Sequence, residues 1–293
     1  MSEVITTVSD KKIDVFIDSL IRATNLHPSA IANKFSKFCG LMPPLEYANI
    51  VDACYAFGVD KIDSEGLPDN LRGFHTDYDN NIHICLRPFE WEGGISHTLL
   101  HELFEIIINR LNKKIAAPYE MSEYMANLFA ASVLMPEWAF LEFALRANMD
   151  LQLIREKYYQ SYFSLLLRFN WLLRKRDMFY IGFLAENKLA RKYNWRGARP
   201  CNEFKNFEIT DTTIDRKEHF HDYQSLIDWL YVCHGTLMAQ ESEDKTTVYL
   251  SDNNLIIRAS PILNHKNCTI RSIGIQIMKK EDYQKLFKEI FKQ

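Results

Sequence analysis

One stretch constrains this chain more than any other: His97-Thr98-Leu99-Leu100-His101-Glu102-Leu103-Phe104-Glu105-Ile106-Ile107-Ile108. Leu99, Leu100, Leu103, Ile106, Ile107 and Ile108 leave little of a helix surface polar, so the stretch predicts a largely buried helix. Charges on such a helix must be paired or hold a metal. Positions four apart share a face, so His97, His101 and Glu105 form one stripe of potential ligands. Glu102 lies about 100° further round. The bland alternative pairs Glu102 and Glu105 with Arg110 or with cations of a neighbouring helix.

The rest of the chain predicts an α+β protein. Apolar residues at Ile13, Phe16, Ile17, Leu20 and Ile21 make one face of a helix over 11–25. A second helix runs from Ala30 to Phe38. A third lies near Leu45–Phe57, with Pro43 and Pro44 just inside its start. Residues 71–86 read as a hairpin turning at 77–81. Ser96 is a candidate cap for the helix reaching Leu111, and a further helix fits Tyr119–Met135, stopped by Pro136. Residues 150–174 read as two helical pieces with Asp150 as a cap. From Met178 short β-rich runs alternate with helices near His221–Cys233 and Glu281–Phe291. The expected domains are 1–148, a helical segment over 149–177, and an α+β domain over 178–293.

Composition excludes several classes. With 47% apolar and 25% charged residues the chain is neither disordered nor fibrous. No apolar run reaches the ~18 residues of a membrane span, and the first residues lack a signal-peptide pattern. The expectation is a cytoplasmic protein without a membrane partner. Six cysteines at 39, 54, 85, 201, 233 and 268 include no CxxC pair, so free thiols are expected. Residues 151–200 hold 11 Lys and Arg against 3 Asp and Glu. That basic stretch suits phosphates or an acidic partner. SYFSLLLRFNWLLRK within it is too apolar for a recognition helix, so direct DNA binding is not favoured.

The string His101-Glu102-x-x-Glu105 resembles the HExxH helix of zincin peptidases, with Glu105 in place of the second histidine. A further ligand is expected from the segment Tyr119–Pro136, which offers Glu120 and Glu123. Glu123-Tyr-Met-Ala-Asn127-Leu-Phe-Ala-Ala-Ser-Val-Leu-Met-Pro136 resembles the second active helix of the ImmA/IrrE family of metallo-endopeptidases. Gly66–Gly73, Ile82-His83-Ile84 and Ser96–Glu102 are similar to that family's preceding loop, strand and helix start. The resemblance covers roughly residues 45–175.

The resemblance implies a zincin-like, mainly helical peptidase domain with a small β-hairpin, a helix-turn-helix-like segment and a GAF-like sensory C-terminal domain. It implies His101, Glu105 and Glu123 as metal ligands and Glu102 as the catalytic general base. His97, one turn before His101, is the alternative second imidazole. Zn2+ is the expected metal. The extra carboxylate raises the claim of Mn2+ or Fe2+, because it is a harder ligand than imidazole. A His-Glu-Glu site with a dication is neutral, against +1 for His2Glu, so it acidifies water less. The implied activity is hydrolytic cleavage of a protein substrate, a helix-turn-helix transcriptional repressor, in stress-response or mobile-element regulation. The alternative is a catalytically degenerate peptidase fold acting as a regulatory binding module. His75 and His83 on the hairpin are candidate cleft residues, His219 and His221 a weaker second metal pair, and Asn127 a hydrogen-bonding link between helices.

Overall fold

The structure is a computed structural model; it describes residues 8–23, 25–64, 66–68, 71–78, 81–88, 92–187, 207–213, 248–251, 255–263 and 270–291. The chain divides into two compact units, Met1–Ala139 and Phe140–Gln293. The architecture is α+β, as the residue patterns predict.

The first unit begins with three helices, α1 (Val8–Ile21), α2 (Pro28–Cys39) and α3 (Tyr47–Phe57). The third differs from its prediction in one respect: Pro43 and Pro44 precede it. It starts instead where Glu46 and Asn49 close a reciprocal capping box, which satisfies two of the first turn's backbone N–H groups. A small sheet follows, of β1 (Lys61–Ser64), β2 (Gly73–Tyr78) and β3 (Asn81–Leu86) in the order β1-β3-β2. β2 and β3 form the predicted hairpin, in register from Gly73 with Leu86 to Tyr78 with Asn81. β1 joins β3 in parallel, a pairing that no local pattern announces.

The buried helix, α4, spans Glu92–Asn112. It starts a turn earlier than predicted, so Ser96 lies inside it, buried, rather than capping it. α5 (Glu123–Leu134) is shorter than predicted because Ser122 accepts a hydrogen bond from the Met125 N–H and sets its first turn. Phe16, Phe35, Phe57, Phe104 and Phe129 are all at most 1% exposed and form the core of this unit. Phe104 of α4 stacks on Phe129 of α5 at 4.9 Å, and Phe129 meets Phe35 of α2 at 5.8 Å. Helix α6 (Glu137–Arg146), which begins directly after Pro136, was not anticipated: proline stops one helix and opens the next.

The second unit carries α7 (Leu151–Tyr158) and α8 (Tyr162–Arg174). Asp150 caps α7 as expected, accepting from the N–H groups of Gln152 and Leu153. The sheet has five antiparallel strands in the order β5-β4-β8-β7-β6. They are β4 (Tyr180–Asn187), β5 (Phe207–Thr212), β6 (Val248–Ser251), β7 (Leu255–Leu263) and β8 (Ile270–Lys279). α8 packs its buried Leu165, Leu166, Phe169, Leu172 and Leu173 toward β4, so the most apolar part of the basic stretch is core. Buried Gln276 of β8 donates to the Met149 carbonyl at 2.7 Å and accepts from the Tyr180 hydroxyl. The closing helix, α9, spans Lys280–Phe291. The predicted helix at 221–233, His219 and His221 lie outside the described residues. Among the described residues Cys39, Cys54 and Cys85 form no disulfide, and no single helix is long and apolar enough to cross a membrane.

Candidate metal centre

Three elements of the first unit build the centre. α4 lies across β2 so that one face of the strand meets one face of the helix. Two strand residues advance about 6.7 Å and one helical turn 5.4 Å, so alternate strand positions follow successive turns approximately. Gly73, His75 and Asp77 are the positions used. Gly73 lets the helix in: a Cβ there would lie 2.6 Å from Thr98 Cγ2. His75 Nδ1 lies 2.7 Å from Glu102 Oε2 and 3.6 Å from Glu105 Oε2. Asp77 pairs with Arg110 at 3.3 Å, which uses the cation that the bland reading reserved for Glu102 and Glu105.

α5 supplies the other side. Glu123 and Asn127 are one turn apart and share the face toward α4. They grip the two nitrogens of His101. Glu123 Oε2 is 3.4 Å from Nε2, and Asn127 Oδ1 is 3.1 Å from Nδ1. Glu105 Oε1 completes the group at 3.5 Å from Nε2. The Asn127 acceptor keeps the proton on Nδ1 and leaves the Nε2 lone pair for a metal, the usual second contact of a ligating histidine. Glu123 also stands at the N-terminus of α5, where the helix dipole favours a carboxylate.

The ligand atoms of His101, Glu105 and Glu123 lie within 4.8 Å of one another, and so do those of His75, Glu102 and Glu105. The first group fits a metal. Ligand bonds of about 2.0–2.1 Å at a tetrahedral angle put donor atoms roughly 3.3–3.5 Å apart. The separations of 3.4 and 3.5 Å match that edge. His97 stands outside both groups, because its Nε2–H also donates to Asn127 Oδ1, at 3.0 Å. His83 is in neither group, and Asn127 is the inter-helix link expected of it.

The electrostatics show a site short of positive charge. Burial pushes the Glu105 carboxyl above its usual range and the charge of Glu102 adds to this, while His101 and His75 pull it back down; Glu123 raises it further. The hydrogen bond to Glu102 raises the His75 imidazole against the lowering effect of burial, with the charges of Glu102, Glu105 and Asp77 adding to the rise. Burial lowers His97, opposed by its bond to Asn127. The contact sequence reasoning missed is that between His75 and Glu102. The alternation of His75 and Asp77 on a half-buried strand hints at an inward face, but nothing local pairs it with a residue 27 positions away.

Residues 69–170 match the family model for the IrrE N-terminal-like domain, Peptidase_M78. Residues 69–170 thus form an IrrE N-terminal-like domain. The match includes β2, β3, α4 and α5, and therefore every residue of both groups. A solved structure of a Mycobacterium tuberculosis transcriptional regulator is similar in fold, with a TM-score of 0.51 at 12% identity, over 96% of this chain and 84% of that one. No curated protein matches the chain.

Proposed function

We propose that this chain is a metal-dependent endopeptidase whose His101, Glu105 and Glu123 hold the cation, Zn2+ in the first place and Mn2+ or Fe2+ as alternatives. The observation that carries the reading is His101: Nε2 faces two carboxylates at metal-ligand spacing while Asn127 fixes the ring's tautomer. A bound divalent cation supplies a Lewis acid that polarises the scissile carbonyl and makes water a better acid. Glu102, 7% exposed, is placed to take the proton from the attacking water and return it to the leaving amine. His75 holds Glu102 Oε2, which leaves Oε1 for the proton. Glu123, with its side chain 81% exposed, puts the centre at the surface, where a protein chain can reach it.

The substrate we propose is a helix-turn-helix transcriptional repressor in the cytoplasm, with the second unit, GAF-like in this reading, sensing a signal or positioning the repressor. The family match and the likeness in fold to a transcriptional regulator support a regulatory setting. Glu105 in place of an imidazole favours a second reading, a binding module that holds the repressor without cutting it. Incubating the Zn2+-loaded chain with purified helix-turn-helix repressors of its source organism, and reading products by mass spectrometry, separates the two. Cleavage by the wild type that is lost in Glu102→Gln, with metal retained, supports the enzyme. Binding without cleavage in both supports the module.

A further inference from the structure

We propose that Glu105 joins two cation sites, and that the second, built of His75, Glu102 and Glu105, is inhibitory. Glu105 turns Oε1 toward His101 Nε2 at 3.5 Å and Oε2 toward His75 Nδ1 at 3.6 Å. The two ligand groups therefore share one carboxylate through different oxygens, each with its own imidazole and one further carboxylate. An imidazole at position 105 has a single nitrogen to offer toward the cleft; a carboxylate has two donor atoms and can serve both sides. The donor set of each group, one nitrogen and two oxygens, is one that Zn2+, Mn2+ and Fe2+ accept.

Charge points the same way. With neutral imidazoles, one dication leaves the five side chains at a formal −1, and two leave them at +1. The second site is the weaker. His75 Nδ1 and Glu102 Oε2 are 2.7 Å apart and share a hydrogen. They must lose that bond and part by about 0.6 Å to reach the tetrahedral donor spacing. It is also the deeper site: the side chains of His75 and Glu102 are 13% and 10% exposed, against 81% for Glu123. Filling therefore begins at His101 and proceeds to His75.

The inhibitory consequence rests on the peptidase reading; the binding does not. Once Glu102 is a ligand it no longer handles the proton of the attacking water, so cleavage rises with the first equivalent of metal and falls with the second.

The test titrates the full chain, stripped by a chelator, with Zn2+, measuring bound metal by equilibrium dialysis with elemental analysis and cleavage on the same samples. The wild type is expected to take two equivalents in separate steps. His75→Asn, which keeps an N–H donor for Glu102 but offers no imidazole, is expected to take one and to lose the fall in cleavage, whatever its plateau. A wild type that stops at one equivalent overturns the proposal, without reference to any variant, as does a His75→Asn chain that still binds two. Two equivalents with no cleavage at any loading overturn the peptidase reading and leave the paired sites standing; cleavage with a single equivalent does the reverse.

Discussion

Replacing Asn127 by leucine tests the metal centre without touching a ligand. Leucine has the branching and the heavy-atom count of asparagine and removes the acceptor that faces both His101 Nδ1 at 3.1 Å and His97 Nε2 at 3.0 Å. Each bond contributes about 0.5–1.5 kcal/mol net, so the fold loses roughly 1–3 kcal/mol. Only the His101 bond bears on the metal. Without it the ring turns more freely and populates the tautomer whose Nε2 carries hydrogen and cannot ligate. Losing such a second contact lowers metal affinity about 10–100-fold, equivalent to about 1.4–2.8 kcal/mol. Competition for Zn2+ against a chromogenic chelator at fixed pH measures this directly. His97→Leu is the companion: it removes the outer bond alone and should leave affinity within the same order of magnitude. Unchanged affinity in Asn127→Leu refutes the tautomer argument. Loss of metal in His97→Leu refutes the ligand set and makes His97 a ligand.

Other consequences follow from the same geometry. Phe129→Ala removes a fully buried ring that stacks on Phe104 and meets Phe35, so denaturant unfolding should show the first unit destabilised by about 3–5 kcal/mol. Glu105→Gln should raise the melting temperature of the metal-free chain while weakening metal binding. The folded protein holds that carboxyl above its usual range, so its charge opposes folding at neutral pH; the penalty shrinks as pH falls below the raised value and is gone below the ordinary one. His97, lowered by burial, contributes stability above its ordinary value near 6.5, and that stability is lost as pH falls, because the unfolded chain takes the proton more readily. His75 has the opposite sign: raised by Glu102, it contributes fully below its ordinary value and loses that contribution as pH rises through the folded value. Unfolding of the metal-free chain across this range should lose its acid-side decline in His97→Gln and its alkaline-side decline in His75→Gln.

Much of this protein was legible in its residues because much of it is local. The apolar run from Leu99 to Ile108 dictated a buried helix, and the four-residue spacing put His101 and Glu105 on one face of it. The turn residues at 77–81 and the strand-forming Ile82–Leu86 pointed to the hairpin, and Asp150 to the start of α7. The errors sat at element ends. Ser96, Pro43 and Pro44 all carry helix-start signals, but the chain uses Glu46 with Asn49 for α3 and begins α4 at Glu92. Several residue types can start a helix, and packing chooses among neighbouring candidates.

The sequence by itself determined which side chains α4 can offer, since helix geometry leaves them no choice. It also placed Glu123 and Asn127 one turn apart, able to act together. Which of these meet, and on which atom, was decided by the tertiary structure. The packing of α5 on α4 gives Glu123 one nitrogen of His101 and Asn127 the other. The close approach of α4 to β2 at Gly73 gives Glu102 its partner in His75 and lets Glu105 face two imidazoles at once. Residue spacing sets directions within an element; distances between elements come from the volume of the core that holds them apart, here the rings of Phe104 and Phe129, and no short stretch of chain encodes that volume.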